Sequence, residues 1–509
     1  MTKDLLYWIL MKKTIILLLL LCSFGCWRSH CQTVSQTMAR QVAENFWNAQ
    51  SPVKSPQTFQ VYPLGDTHYP TMYVFSSADG WVLVAGDKRV APILAYSDEK
   101  GREFPAMEDV PPTMQYIFDS YRKQIEAIRN GSVIREYNQE WHSYIDINNG
   151  KISTRSVIVS PLLTRDGHEN AWAQDENDDY PYSDSTKIYN KFCPPRNGCS
   201  HAPAGCGAVS LGQIMWYWQW PYAKKTFYNY NRVVSTYNWD MMPYVLSNSS
   251  SIEEADMIAT LLHDIGVAEN MNYHCNSSGT NIYSILHALR DSFYYSADEV
   301  KIRVNYTNDA WINSLKGELN EQRPVLYGGR SGSEGHFFVI DGYNSNNYFH
   351  ANLGWGGMQN FYYNLNEIYP SDQVMITNIH PNYDFYCSPY TVPWWDIWPT
   401  NFFVQHGGKL TLEEMIFTNG MHGYIYSEES VKLDVGVYVK MGAEVYIGIN
   451  GSLCSNGQAP ASAPRTAHEE IHTCENSLNT STATKIFRDG ELYILREGKV
   501  YNSNGIRIK

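Results

Sequence analysis

A glycine-flanked cysteine at the start of an apolar helical pattern constrains the fold of this chain more than any other feature. In the run 204–218, Cys206 lies between Gly205 and Gly207, and apolar residues then recur at helical spacing until Pro221. Proline cannot continue a helix, so the pattern predicts a helix that begins at the cysteine. Unpaired N–H groups and the helix dipole favour a thiolate at that end, and the glycines allow another backbone to approach closely.

The cysteine alone does not separate a nucleophile from a structural residue. Cys206 could equally be buried in a core or form a disulfide with Cys199. Ten cysteines occur, three of them within the first 31 residues, and the odd number that remains leaves at least one thiol unpaired if the chain is exported. Cys193 with Cys199, and Cys454 with Cys474, could form local disulfides, but sequence spacing does not fix the connectivity.

A predicted hairpin that contains a histidine and an asparagine is the second feature. His336 begins an apolar strand at 335–342, a polar turn follows at 344–347, and a second strand at 348–353 ends near Asn352. His336 and Asn352 are 16 positions apart (352 − 336), with the turn near their midpoint, so the hairpin predicts that they lie nearly opposite each other. That arrangement suits an imidazole base held by an amide. An exposed loop histidine and a turn asparagine are the alternative interpretation.

Three further polar residues are candidates for the same site. His350 shares a strand face with Asn352, although we favour a packing role for it, and His201 lies in a loop before Cys206. Gln174 could donate a side-chain N–H to an oxyanion, together with the backbone N–H of Cys206. Glutamines in aromatic loops are usually structural, so the spacing of Gln174 is weak support when taken alone.

Composition bounds the class of protein. A length of 509 residues suggests three or four folding units, and an apolar fraction of 43% excludes a wholly disordered chain. The net charge of −13, with no long basic run, excludes nucleic-acid binding driven by charge. The aromatic content of 14% favours β-rich structure and aromatic-lined grooves.

Segments of different character divide the chain. Lys12-Lys13 and the short apolar run 14–21 predict a secretory signal peptide, because the run is too short for a transmembrane helix. The polar stretch 148–155 is predicted to be an exposed linker that a protease can cut. Strand alternation appears at 431–439, and no long internal repeat is evident.

Local patterns in the first block predict two helices and two strands. The strands flank Asp79-Gly80, a strong turn pair. The predicted helices are 39–47 and 112–128, and the predicted strands are 72–75 and 81–85.

Together these motifs resemble the streptopain family of papain-like cysteine peptidases. The resemblance covers residues 156–380, where separate motifs follow one another in the family's order and at compatible spacing. It rests on Gly205-Cys206 with Gln213–Met215 and Tyr217, on Tyr237–Trp239, on Gly335–Gly342, and on His350, Asn352 and Gly354–Gly357. The first block resembles the family's inhibitory propeptide at Trp81–Asp87 and Pro92–Ser97. The end of the chain resembles the C-terminal sorting domains of Bacteroidetes secretion substrates at Gly490–Ile494, Tyr501-Asn502 and Gly505.

The resemblance implies roles for particular residues. It implies that Cys206 and His336 form the catalytic pair, that Asn352 orients His336, and that Gln174 contributes to the oxyanion hole. It also implies that Trp355 and Gly335 contact substrate. No metal ion or cofactor is expected.

One residue departs from the family pattern. Family members carry a tryptophan directly after the orienting asparagine, whereas this chain has Leu353. Because that tryptophan shields the histidine and shapes the substrate groove, the change bears on substrate preference. Trp355 is the candidate replacement.

The expected fold class is α+β. A papain-like catalytic domain, in which the nucleophile helix packs on an antiparallel sheet, is expected after a small α+β propeptide and before β-rich C-terminal modules. The expected boundaries are 1–31 for the signal peptide, 32–155 for the inhibitory propeptide, 156–382 for the peptidase domain, 383–480 for a β-rich domain and 481–509 for a sorting module.

The expected function is peptide-bond hydrolysis by a secreted or surface-bound cysteine endopeptidase made as a zymogen. Its expected partners are protein or peptide substrates, its own propeptide as inhibitor, and secretion machinery that reads the C-terminal module. Neither nucleic acid nor an integral membrane span after signal removal is expected. Another thiol enzyme, either a transglutaminase or a cell-wall amidase, is one alternative, and a non-catalytic surface protein that binds through 383–480 is the other.

Overall fold

The computed structural model describes the chain in several stretches. They are 32–49, 58–99, 104, 112–145, 156–175, 187–221, 237–387, 389–392, 401–434, 436–449, 484–488, 491–496, 499–502 and 507–508. The predicted signal peptide, the whole of the predicted linker 148–155 and the predicted Cys454–Cys474 pair lie outside these residues.

Helices and strands alternate irregularly along the chain. The helices are α1 (Gln36–Asn48), α2 (Pro112–Arg129), α3 (Glu140–Ile145), α4 (Cys206–Trp218), α5 (Ile252–Ala268), α6 (Ile282–His287), α7 (Asn308–Asn320) and α8 (Tyr383–Cys387), with short 3₁₀ or π turns at Trp239–Met241, Ala288–Ser292 and Arg303–Asn305. The strands up to residue 381 are β1 (Gln60–Gly65), β2 (Pro70–Ser77), β3 (Gly80–Ala85), β4 (Ile93–Ser97), β5 (Val157–Val159), β6 (Thr164–Arg165), β7 (His168–Glu169), β8 (Tyr295–Ser296), β9 (Lys301–Ile302), β10 (Val325–Ser331), β11 (Glu334–Asn344), β12 (Phe349–Asn352), β13 (Phe361–Tyr363), β14 (Ser371–Ile376) and β15 (His380–Pro381). The strands beyond it are β16 (Tyr390–Val392), β17 (Asn401–His406), β18 (Leu410–Leu412), β19 (Ile416–Phe417), β20 (His422–Ser427), β21 (Val431–Leu433), β22 (Tyr438–Val439), β23 (Glu444–Ile449), β24 (Thr484–Arg488), β25 (Glu491–Arg496) and β26 (Lys499–Asn502).

The N-terminal unit packs helices on a four-strand antiparallel meander. Ser35 caps α1 by accepting a hydrogen bond from the backbone N–H of Met38, and the apolar face of α1 is buried. β2 and β3 form a hairpin whose turn requires Gly80, because its φ is +125° and a Cβ there would lie 2.1 Å from the carbonyl oxygen of Ser97. The helices and strands predicted for this block are confirmed.

One sheet continues from the N-terminal unit into the central domain. Its strand order is β1-β2-β3-β4-β13-β12-β11-β10-β14-β9, so β4 pairs with β13 across the predicted propeptide boundary. That pairing is antiparallel and sets Tyr96 against Tyr362, whose rings stack at 5.0 Å. Apolar side chains of both units belong to the same buried cluster, so the two units share a core.

Helix α4 lies on the sheet as a buried helix. Its residues from Gly207 to Trp216 are all buried, because the helix is apolar on every side. Its core includes side chains from α5 and β11, for example Leu262 and Val339. The predicted combination of a nucleophile helix and an antiparallel sheet therefore matches the arrangement of these elements.

The disulfide pattern differs from the one considered from spacing. Cys199 is bonded to Cys275, 76 positions away, while Cys193 is a free, buried thiol. The predicted Cys193–Cys199 pair is therefore wrong. The bond ties the loop before α4 to the loop after α5, a contact between distant segments that sequence spacing does not reveal.

The C-terminal region is β-rich, as predicted, but it contains a repeated arrangement that the sequence did not reveal. Tyr390 pairs in parallel with Leu410 and Leu410 with Val431, at intervals of 20 (410 − 390) and 21 (431 − 410) positions. Parallel ladders also join β17, β20 and β23. Strands β24–β26 then extend that sheet in antiparallel fashion from β23.

Within the stretches that the structure covers, no helix is both long enough and apolar enough to cross a bilayer.

Candidate active site

Cys206 lies where the sequence predicts it, as the first residue of α4. Gly205 precedes it with a φ of +91°, and a Cβ there would lie 2.8 Å from the sulfur of Met271, so only glycine fits this close approach. The Cys206 thiol is free and half-buried. Burial raises the pKa of this thiol, while backbone N–H groups from Phe337, Gly207 and Cys206 itself act to lower it.

The N–H that reaches the thiol from β11 belongs to the residue after His336. The backbone N–H of Phe337 acts to lower the pKa of the Cys206 thiol, and α4 packs against β11 in one core, so the two elements meet at this point. His336 and Cys206, which are 130 positions apart (336 − 206), are thereby brought to one place.

The His336 ring is buried among aromatic side chains. It is 7% exposed and stacks on Trp355 at 4.5 Å and 29°, with the Tyr369 ring 5.5 Å away. Its Nε2 donates a hydrogen bond to the carbonyl oxygen of Leu353 at 2.9 Å, which leaves Nδ1 as the acceptor of the neutral ring. Burial lowers the pKa of His336 to about 4, against a smaller opposing effect of the Leu353 carbonyl.

The predicted contact between Asn352 and His336 is wrong. Asn352 lies opposite Val339, because the hairpin turn is centred near residue 346, two positions beyond the midpoint of His336 and Asn352 at 344. The carbonyl of the next residue, Leu353, holds the imidazole instead.

Asn352 nevertheless fixes the turn that carries this carbonyl. Its Oδ1 accepts hydrogen bonds from the Gln213 side chain at 2.8 Å and from the backbone N–H of Gly354 at 3.1 Å. Its Nδ2 donates to the carbonyl of Asn170 at 2.6 Å. Asn352 therefore acts on the imidazole through the backbone on either side of Leu353.

Asn170 and Gln213 are site residues that sequence reasoning missed. Gln213 Nε2 donates to Asn170 Oδ1 at 3.2 Å, and Asn170 Oδ1 also accepts from the N–H of Trp172 at 3.1 Å. Both side chains are fully buried, so they join α4, the 170–174 loop and the Asn352 turn in one network. A glutamine inside an all-apolar helix is a signal that could have identified Gln213, whereas no local pattern marks Asn170.

Gln174 lies beside the loop that leads to Cys206. Its carbonyl accepts a hydrogen bond from the N–H of Ala204 at 2.6 Å, and its side chain is half-buried. The same loop is tied to the glycine-rich turn, because Gly356 donates its N–H to the carbonyl of Trp172 at 3.1 Å. The Gln174 backbone therefore lies beside Ala204, two residues before Cys206, and the role of its side chain in the oxyanion hole stays a prediction.

The two residues predicted to contact substrate lie in different surroundings. Trp355 is half-buried against His336 and meets Tyr116 of α2 edge-on, with the ring centroids 5.9 Å apart. Gly335 is exposed at the start of β11, opposite Arg330.

Helix α2 of the N-terminal unit covers this end of β11. Besides its contact with Trp355, Tyr116 lies next to Glu334. Burial raises the pKa of the Tyr116 hydroxyl, and the Glu334 carboxylate raises it further. One turn later, the Ser120 hydroxyl hydrogen-bonds the Ser331 hydroxyl at 2.6 Å. The predicted propeptide therefore contacts the aromatic wall of the site.

The two other histidine candidates lie outside the thiol's surroundings. His350 is 3% exposed, with Nδ1 at 2.6 Å from Asp341 and Nε2 at 3.6 Å from Glu169. Burial acts to lower the pKa of His350, but the two carboxylates outweigh it and raise the pKa to about 9. His201 lies 3.4 Å from the carbonyl of Cys193.

Comparison with known families agrees with this geometry. Residues 183–363 match the Peptidase C10 family, and residues 31–125 match the Spi protease inhibitor family. Residues 183–363 of the chain belong to the streptopain-like family of papain-like cysteine peptidases. The matched peptidase region contains Cys206, His336 and Asn352, and the matched inhibitor region contains the β1–β4 sheet and most of α2.

Two curated relatives and one solved structure are similar to this chain. The thiol protease/hemagglutinin PrtT of Porphyromonas gingivalis is 30% identical over 68% of this chain and 42% of its own length. Streptopain of Streptococcus pyogenes is 28% identical over 60% of this chain and 77% of its own length. A prointerpain A fragment from Prevotella intermedia is 23% identical, covers 64% of this chain and 99% of that fragment, and has a TM-score of 0.45. This chain thus spans less than half of the PrtT relative.

Proposed function

We propose that this member of the streptopain-like family is a secreted cysteine endopeptidase made as an inactive precursor. Cys206 is the nucleophile and His336 is its base. The observation that carries the proposal is the packing of α4 against β11, which places the backbone N–H of the residue after His336 near enough to the free Cys206 thiol to lower its pKa. A titratable pair of this kind at a helix start is typical of an activated thiol.

The proposed reaction follows from the free Cys206 thiol and from Nδ1 of His336, the ring nitrogen that can accept a proton. Nδ1 of His336 takes the thiol proton while Nε2 stays bonded to Leu353, and the resulting thiolate attacks the peptide carbonyl carbon. The N–H of Cys206 and the side chain of Gln174 stabilise the oxyanion. The imidazolium then protonates the leaving amine, and water hydrolyses the thioester to release the acid and the free thiol.

The precursor is latent because its reacting groups are neutral. Burial raises the pKa of Cys206 and lowers that of His336 to about 4, so near pH 7 neither group carries the charge that the ion pair needs. Helix α2 contributes to this burial through Tyr116, which covers Trp355. Removal of the propeptide hydrates the site and lets the thiolate–imidazolium pair form.

Cleavage of the linker alone leaves the propeptide bound. β4 pairs with β13, and Glu367 of the peptidase domain accepts a hydrogen bond from the N–H of Ala91 and pairs with Arg135. These contacts and the shared core do not depend on chain continuity. Activation therefore requires dissociation or digestion of residues 32–145 after the first cut.

Product analysis tests the proposed activity. The activated enzyme is incubated with a denatured protein, and the products are mapped by mass spectrometry. We expect new N-termini, their absence with Cys206→Ala, and their persistence with Cys193→Ala as the matched control. Isopeptide cross-links in place of new N-termini would identify a transglutaminase, and unchanged cleavage by Cys206→Ala would remove Cys206 from the mechanism.

Export is the remaining part of the proposal. Residues 1–31 direct the chain out of the cytoplasm, and 481–509 is the module that secretion machinery recognises. Strands β24–β26 support this, since they form an antiparallel extension at the end of the β17-β20-β23 sheet. Truncation before residue 481 in a Bacteroidetes host should keep the peptidase cell-associated, and normal release of the truncated chain would contradict the assignment.

A further inference from the structure

Glu269 is a buried acid that the proposed mechanism does not use. It follows α5 directly and is 0% exposed. Neither carboxyl oxygen has a hydrogen-bond partner among the residues that the structure covers. Buried carboxyl groups are almost always paired, so one without a partner calls for an explanation in terms of function.

The carboxyl lies directly behind the nucleophile. A Cβ on Gly207 would be 2.7 Å from Glu269 Oε2, so the oxygen rests against the second residue of α4. Gly207 is the residue that makes room for it, since Thr280 Cγ2 would be equally close, at 2.6 Å, on another side. Any side chain at position 207 would displace the carboxyl from Cys206.

The Glu269 carboxyl and the Cys206 thiol are two acidic groups, and ionisation of either one disfavours ionisation of the other. Burial is the largest influence that raises the pKa of the Cys206 thiol. The charge of Glu269 raises this pKa further, whereas the backbone N–H donors lower it. Burial in turn raises the pKa of Glu269 well above its usual range. Like charges this close ionise as a coupled pair, so the ionised form of one disfavours the ionised form of the other.

The other elements around Glu269 supply no compensating charge. The loop after α5 brings Tyr273, whose hydroxyl packs against Gly266, and Thr280, whose hydroxyl donates to the Glu269 carbonyl. Helix α6 contributes the apolar Ile285. Burial is what raises the pKa of Glu269, and within the described residues no lysine, arginine or histidine acts to lower it.

We propose that Glu269 is a positioning residue for the nucleophile, and that the charge state of its carboxyl decides whether the Cys206 thiol ionises. With the carboxyl protonated, the thiol proton passes to Nδ1 of His336 and the thiolate forms. With the carboxyl ionised, the thiol keeps its proton. The proposal rests on the proposed function only in taking Cys206 as the nucleophile.

The test measures the thiol itself rather than peptide hydrolysis. Full-length wild type and Glu269→Gln are alkylated with iodoacetamide across a pH series, and modification of Cys206 is quantified by peptide mapping. We expect the midpoint of Glu269→Gln to fall by about one pH unit or more, so that alkylation below the midpoint is roughly tenfold faster. Glu253→Gln, an exposed acid in the first turn of the same helix, is the matched control and should match wild type.

A second variant separates this role from a structural one. Glu269→Met should lower the midpoint as Glu269→Gln does and should raise Tm, because it removes an unpaired buried carboxyl. Wild-type midpoints in both variants would overturn the proposal. Loss of folding in both would overturn it as well, since it would show that the carboxyl makes a stabilising contact.

The outcome is distinct from that of the peptidase proposal. A wild-type chain that hydrolyses no peptide after activation would refute the peptidase while leaving the alkylation shift intact. An active enzyme whose Glu269→Gln variant has an unchanged pH profile of kcat/KM would refute the role of Glu269 alone.

Discussion

Two buried histidines on adjacent strands show how differently similar burial can act. His336 on β11 is surrounded by aromatic rings and a carbonyl, and burial lowers its pKa to about 4. His350 on β12 is equally buried, yet its two carboxylate neighbours outweigh burial and raise its pKa to about 9. The nearby carboxylates, rather than burial, separate the two rings.

The difference teaches which histidine can take up a proton during a reaction. His350 is already a cation at neutral pH, held by Asp341, and so has no proton-accepting capacity left. His336 is neutral, with Nδ1 unprotonated and Nε2 anchored. The His350 ring therefore stabilises the sheet, and the His336 ring can serve as a base.

The largest expected effect separates the two histidines by activity. His336→Ala should reduce kcat/KM of the activated enzyme by about 10⁴- to 10⁶-fold, because the thiol loses its proton acceptor. His201→Ala, a half-buried loop histidine, is the control and should retain activity. Fluorogenic peptide hydrolysis measures both, and a His336→Ala enzyme within tenfold of wild type would contradict the assignment.

The next effect concerns stability. His350→Ala leaves the buried Asp341 carboxylate without its partner, so we expect a loss of about 3–5 kcal/mol in the free energy of unfolding. Urea denaturation of the precursor measures this. Because the pair is coupled, Asp341→Asn combined with His350→Ala should cost less than the sum of the single changes, and strict additivity would show that the pair does not interact.

Gln174→Ala tests the proposed oxyanion donor of the site that contains His336. Removing one oxyanion donor should reduce kcat by about 10²- to 10³-fold and leave Tm close to wild type. Gln174→Glu keeps the size of the side chain but lacks the N–H donor, so it should be similarly impaired. Unchanged turnover in Gln174→Ala would remove Gln174 from the site.

The smallest effect is a pH dependence with opposite signs for the two rings. The raised pKa of His350 stabilises the fold below about pH 6.5, and that stability is lost as pH rises through about 9. The lowered pKa of His336 stabilises the fold above about pH 6.5, and that stability is lost as pH falls toward 4. Each contribution is about 3 kcal/mol at most.

Denaturation midpoints across this pH range check both signs. His350→Gln should flatten the alkaline side of the stability curve, and His336→Gln should flatten the acid side. A curve whose two sides respond to the same variant would contradict the comparison.

The sequence predicts the elements of the site better than their register. The helix at Cys206 and the hairpin around residue 346 follow from apolar periodicity and turn residues, which act locally. The turn is centred near residue 346 rather than at 344, the midpoint of His336 and Asn352, so Asn352 lies opposite Val339, and local patterns do not fix a hairpin register this closely.

Contacts between segments far apart in the chain could not be predicted from the sequence for a related reason. The Cys199–Cys275 bond and the Asn170 network join segments that meet only after folding. The parallel ladders of the C-terminal region have weakly similar sequences, because buried strands require apolar residues but few particular ones. The joining of β4 to β13 likewise depends on two strand edges that no motif marks.

The most direct test of the central claim is labelling of the activated enzyme with a thiol-directed peptidyl inhibitor, followed by mass mapping. The chain has two free thiols in its described residues, and burial raises the pKa of Cys193 to about 12. We predict stoichiometric modification of Cys206, none of Cys193, and loss of labelling in His336→Ala. Labelling of Cys193, or of Cys206 at an unchanged rate in His336→Ala, would contradict the account.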